Sequence, residues 1–83
     1  NFPNPFYGST SFSYRLKQPT RVTLKIFDVL GREIVTLVEN ELKDAGGHTV
    51  HFDATSNRLN PGVYYFSLSG NDANSVRKMI VER

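Results

Sequence analysis

Apolar and polar residues alternate along most of this chain. In residues 10–17 (TSFSYRLK), Phe12, Tyr14 and Leu16 fall on one face and Ser11, Ser13, Arg15 and Lys17 on the other. Residues 21–28 (RVTLKIFD) repeat the pattern, with Val22, Leu24 and Ile26 against Arg21, Thr23 and Lys25. Both segments read as half-buried strands. Residues 32–38 (REIVTLV) are apolar on both faces, which predicts either a central strand with a bulge or one covered on its second side. Further on, His48, Val50 and Phe52 share a face, Tyr64, Phe66 and Leu68 turn inward, and Met79 and Val81 stand opposite Lys78 and Ile80. No stretch of ten residues holds a 3.6-residue period. Short strands separated by turns predict an all-β fold, an Ig/fibronectin-III-like antiparallel β-sandwich of about six to seven strands.

The connections fit that reading. Pro19 is pre-set for the first corner of a turn at Gln18, Pro19 and Thr20. Asp28 is placed to bond the backbone ahead of it, and Gly31 takes positive φ at little cost, a tight connection ending in a left-handed glycine. Pro61 and Gly62 stand in the order of a type II turn. Gly46 and Gly47 predict a third break. Residues 54–60 (ATSNRLN) form a polar loop with Leu59 tucked inward, and residues 70–75 (GNDANS) the last turn. The chain opens on NFPNPF. Each proline fixes its own φ and pushes its predecessor toward extended geometry, so residues 1–8 read as an extended arm, the seventh strand. Phe2 and Phe6 then need burial. The arm either plugs one end of the core or marks a module boundary.

Length limits the rest. Eighty-three residues predict a single domain spanning 1–83, which buries roughly 60% of the surface of its unfolded chain. Without cysteine there is neither a disulfide staple nor thiolate chemistry. A net charge of +2 is too small to argue for nucleic acid. No run of 18 apolar residues is present to span a membrane. The chain begins at Asn1 with no signal-like stretch, and is expected to be a piece of something longer.

Candidate chemistry is sparse. His48 and His51 point to opposite faces of a strand. His51 and Asp53 share a face but lack a third ligand. The sequence sets no serine beside a histidine as a nucleophile requires. Glu39, Glu41 and Asp44 cluster in one loop and read as a solvated face, not a catalytic pair. Arg15, Lys17, Arg21, Lys25 and Arg32 would line up on adjacent strands, either as a basic stripe or as a solubilising face that protects an edge. The stripe has no interleaved aromatic except Phe27. Phe27 and Tyr65 read as an outward, flat pair that could take a sugar. No catalytic residue, metal site or cofactor site emerges, and no enzyme is expected.

Four stretches, in order, carry a resemblance. NFPNPF resembles the opening of the C-terminal sorting domains of the bacterial type IX (Por) secretion system, type A. VTLKIFDVLGREIVTL is similar to that family's central hairpin, with Asp28, Gly31 and Arg32 at the matching places. LNPGVYYFSL resembles its late Gly-Val-Tyr strand, and RKMIVER its closing strand. Similar hairpin and strand patterns occur in the Ig-like domain of flagellar hook-capping proteins; the proline-rich opening and the basic-hydrophobic ending favour the sorting domain. Asn60 and Pro61 depart from the Ala-Ser or similar pair of many relatives, which changes the turn only. The resemblance implies a sorting motif made of Pro3, Asn4, Pro5, Phe6, Asp28, Gly31, Arg32, Gly62, Tyr64, Lys78, Met79, Ile80 and Val81. It implies a cargo fused N-terminally, passage through the periplasm, an outer-membrane translocon as reader, and a cell-surface protease-transpeptidase that removes the domain and attaches the cargo to lipopolysaccharide. No nucleic acid partner, no direct membrane insertion and a monomer are expected. A closing strand at a sheet edge could offer unpaired backbone groups to a partner. The competing reading is a fibronectin-like spacer or carbohydrate-binding accessory module of an extracellular enzyme. Position separates the two, since a sorting domain must end its polypeptide.

Overall fold

The computed structural model describes residues 6–55, 57–71 and 74–82. The expectations for Phe2, Pro3, Asn4, Pro5 and the Arg83 end lie outside the described residues, as does the middle of the last turn. The side chain of Phe6 lies outside them too.

Seven strands follow one another: β1 (Phe6–Tyr7), β2 (Ser9–Leu16), β3 (Thr20–Asp28), β4 (Glu33–Lys43), β5 (Gly46–Asp53), β6 (Gly62–Ser69) and β7 (Ser75–Glu82). They form a five-stranded sheet in the order β1-β7-β6-β3-β4 and a two-stranded sheet, β2-β5. Pairing is antiparallel except between β1 and β7, which run parallel. The second strand beside the fifth, facing the third, sixth and seventh, is the arrangement of an immunoglobulin-type sandwich.

The alternating residues close the space between the sheets. Phe12, Leu24, Ile26 and Met79 are wholly buried, and Leu16, Val22, Phe52, Tyr64, Phe66, Leu68 and Val81 join them. Burying side chains of this kind stabilises by about 1.5–3 kcal/mol each. The Phe12 and Phe66 rings stack across the sheets with centroids 3.9 Å apart. Tyr14 and Val50 pack against this core from its rim, and His48 stacks on Tyr14 at 5.2 Å. Leu59 packs inward as expected.

Several expectations are corrected. β4 is an edge strand, not a central one. Its ladder with β3 shifts register three times, and such bulges are what let apolar residues fall on both faces of an edge. Val38 is buried, Val35 and Leu37 are partly so, and Ile34 stays 40% exposed. β4 runs on to Lys43, so Glu39 and Glu41 lie on a strand, and only Asp44 of the three acids falls in the turn. Gly46 and Gly47 do not break the chain. They open β5 opposite Leu16 and Arg15, and an Arg15 guanidinium nitrogen covers Gly47. Gly62 has φ +153°, far from the roughly +80° of a type II turn, because it already pairs with Val81. The bend before β3 lies at Lys17 and Gln18, ahead of Pro19. Finally, β7 is not the outermost strand along its whole length: β1 pairs with Val81 and Glu82. Among the described residues, residues 75–80 of β7 have no strand on that side.

Candidate functional site

Strand register gathers most of the described residues of the expected motif at one end of the sandwich. Asp28 at the end of β3 stands beside Tyr64 of β6, and Tyr64 beside Met79 of β7. Gly62 and Phe6 flank Val81 from either side. Four segments distant in sequence thus meet at one pole.

The turn between β3 and β4 is held by one carboxylate. Asp28 Oδ1 accepts the backbone N–H of Leu30 and of Arg32, both at 2.9 Å, and Oδ2 accepts Arg32 Nε–H at 2.8 Å. The Gly31 N–H donates to the Asp28 carbonyl and the Asp28 N–H to the Arg32 carbonyl, each at 3.0 Å. Gly31 sits at φ +82°. This is a three-residue hairpin loop ending in a left-handed glycine, as the sequence predicts. The Arg32 backbone N–H is the main reason the Asp28 carboxyl lies below its ordinary pKa, with the Arg32 guanidinium and the Leu30 N–H adding to it.

The loop between β5 and β6 is fastened differently. Leu59 N–H donates to the Ala54 carbonyl and Arg58 N–H to the Thr55 carbonyl. Arg58 itself is left-handed, at φ +59°. These nested bonds are those of a Schellman turn, with Arg58 where glycine is usual and Leu59 meeting the buried Ala54. Downstream, Tyr64 Oη–H donates to the Asn60 carbonyl at 2.7 Å. A tyrosine near the start of the sixth strand bonded four residues back is the tyrosine corner of immunoglobulin-type sandwiches. It straps the loop to the core.

Outside this pole the candidates scatter. The five cations form no stripe. Arg15 belongs to β2 and Arg21 and Lys25 to β3, in opposite sheets. Lys25 pairs with Glu33 at 2.9 Å, and Arg32 with Asp28 at 2.8 Å. Arg21 donates to the Asn40 carbonyl. Thr36 and then Lys25 hold the Glu33 carboxyl below its ordinary pKa by hydrogen bonding. Phe27 and Tyr65 are directly opposite each other and half-buried on the outer face, with Lys78 the next partner across. Lys78 is exposed, Met79 and Val81 are buried and Ile80 is half-buried. Sequence reasoning missed Ser11 Oγ, which lies 2.9 Å from His51 Nδ1. Only the β2–β5 register brings them together. The pair stands on the exposed sheet face, and Asp53 Oδ1 is engaged by the Thr55 N–H, so it reads as a cross-strand polar contact. Among the described residues, no three of His, Asp and Glu group to hold a metal.

Fold and site together define a small immunoglobulin-like module with two closely hydrogen-bonded turns at one pole. The family model of the secretion system C-terminal sorting domain matches residues 1–82. The chain belongs to that family, the sorting signal of type IX secretion. Membership implies a cargo fused at the N-terminal side, the type IX machinery as reader, and a product that is secreted or surface-attached. Neither a curated protein nor a solved structure matches the chain.

Proposed function

We propose that residues 1–83 form a single non-catalytic domain that carries its cargo through the periplasm to the outer-membrane translocon. A cell-surface protease-transpeptidase then removes the domain and joins the cargo to lipopolysaccharide. The observation that carries this reading is the convergence of Phe6, Asp28, Gly31, Arg32, Gly62, Tyr64, Met79 and Val81 on one pole, where a reader would meet four segments at once. Lys78 and Ile80 extend the same strand outward. Pro3, Asn4, Pro5 and Phe6 complete the proposed motif.

The test is a fusion of residues 1–83 to the C-terminus of an exported fluorescent protein in a host with a type IX system. The fluorescence is expected outside the cell. Removing KMIVER should trap it in the periplasm. That deletion takes Met79 and Val81 from the core, and losing a large buried side chain costs about 2–5 kcal/mol. Lys78→Ala, on an exposed residue, should leave the fold within about 0.5 kcal/mol; the melting temperature of the same fusion then separates recognition from stability. Normal secretion without KMIVER would overturn the sorting role.

A second reading, a carbohydrate-binding accessory module, draws on the paired rings of Phe27 and Tyr65. Titration with soluble polysaccharides is expected to show no saturation. A micromolar affinity lost in Tyr65→Ala would put this reading first.

A further inference from the structure

The β3–β4 turn and the β5–β6 loop border a groove of about 460 Å³ on the motif pole, its walls including Val29, Leu30, Ile34, Arg58, Pro61 and Val63. Leu30 is 74% and Val29 64% exposed. Turn positions usually carry polar residues, and these two add little to the core. Together with Ile34 they are three of the five exposed large hydrophobics among the described residues, and all three line this one groove. Such clustering marks an interaction surface, whereas scattered single residues would not.

Arg58 points the same way. It occupies a left-handed position, φ +59°, at the Schellman site that glycine usually fills. A residue with a Cβ is disfavoured there, so the turn itself gives no reason for arginine. Arg32, also at the groove, is engaged by Asp28. Arg58 makes no ion pair among the described residues.

We propose that this groove docks an extended, apolar segment of a secretion-machinery protein, and that the segment presents one carboxylate to Arg58. The inference rests on the sorting function proposed above. The occupant follows from the chemistry of the walls. Apolar walls ask for apolar side chains, and one uncompensated guanidinium asks for one bidentate anion. An anionic membrane surface fits poorly, because such surfaces are held by clusters of four to eight cations.

The experiment uses the fluorescent cargo fusion in the type IX host, with Arg58→Gly, Arg58→Glu and the double variant Val29→Ser/Leu30→Ser. Calorimetry of each purified fusion follows the folding of the domain. Arg58→Gly is expected to keep or raise the melting temperature while cutting the exported fraction at least fivefold. Arg58→Glu and the double variant should cut it at least tenfold. Export of these variants at the wild-type level would overturn the groove while leaving the sorting function intact. A wild-type fusion that stays inside would overturn both. Two further measurements name the rival occupants. A dimer seen by sedimentation and abolished by Val29→Ser/Leu30→Ser would make the occupant a second copy. Binding to phosphatidylglycerol vesicles abolished by Arg58→Gly would make it a lipid surface. Either result would overturn the protein segment.

Discussion

Two turns at one pole hold the chain in left-handed backbone, one with glycine and one with arginine. Nothing lies within 4 Å of where a Cβ on Gly31 would sit, so space does not select glycine there. Its φ of +82° does. Arg58 bears nearly the same backbone demand at φ +59° and answers it with a long charged side chain. The first turn closes on itself through Asp28. The second is tied to the core through Tyr64. A residue that suits its backbone reports on folding. A residue that suits it poorly, with no folding partner in view, reports on something outside the domain.

The strongest way to break this comparison is at Tyr64. Tyr64→Ala should cost about 3–5 kcal/mol, as for other large aromatic truncations, a major part of the 5–15 kcal/mol typical of a native protein. Tyr64→Phe removes only the bond to Asn60 and should cost about 0.5–1.5 kcal/mol. In Tyr64→Phe, hydrogen exchange should quicken at the Leu59 and Arg58 amides and not at Gly31. Equal loosening of both turns would show that they are one unit.

Gly31→Ala comes next. A Cβ in left-handed backbone costs about 1–2 kcal/mol, so chemical denaturation should find the domain weaker by that amount. An unchanged midpoint would mean that the turn relaxes without penalty. Arg58→Gly should shift stability by less than about 1 kcal/mol, and upward, since relief of the Cβ is partly offset by the freedom glycine gains in the unfolded chain. A clear loss would assign Arg58 a folding role.

The smallest effect is on pH. The folded Asp28 carboxyl lies below its ordinary value of 3.8, so its contribution is present above that pH and fades as the pH falls through the lower folded value. Glu33 adds a parallel contribution from its own ordinary value of 4.5. Melting temperature should therefore fall on acidification below about pH 4.5, and Asp28→Asn should flatten that decline. A decline of equal slope in the variant would remove Asp28 from the acid response.

Much of the fold is legible in the sequence itself. Alternation of period two picks out Phe12, Leu24, Ile26, Phe66 and Met79, because each needs only its local pleat to face inward. Gly31 and Asp28 are legible for the same reason: their turn is made of neighbours. The misreadings came from distant partners. In β4 the expected bulge is present, but the edge position depends on β3 and β6 and not on the strand's own pattern. Of the two readings of the cations, the stripe fails because β2 and β3 are not neighbours: the chain crosses from one sheet to the other at Lys17 and Gln18. Ser11 meets His51 only through the β2–β5 pairing, which no local pattern announces.

The parallel pairing of β1 with the end of β7 has a temporal consequence. The first strand made is held by the last, and the core lacks Met79 and Val81 until that strand arrives. Contacts spanning nearly the whole domain close late in folding. A ribosome that stops short leaves a chain whose sandwich cannot shut, whatever cargo precedes it. The finished fold therefore records that translation has passed through β7, because the core closes only on Met79 and Val81.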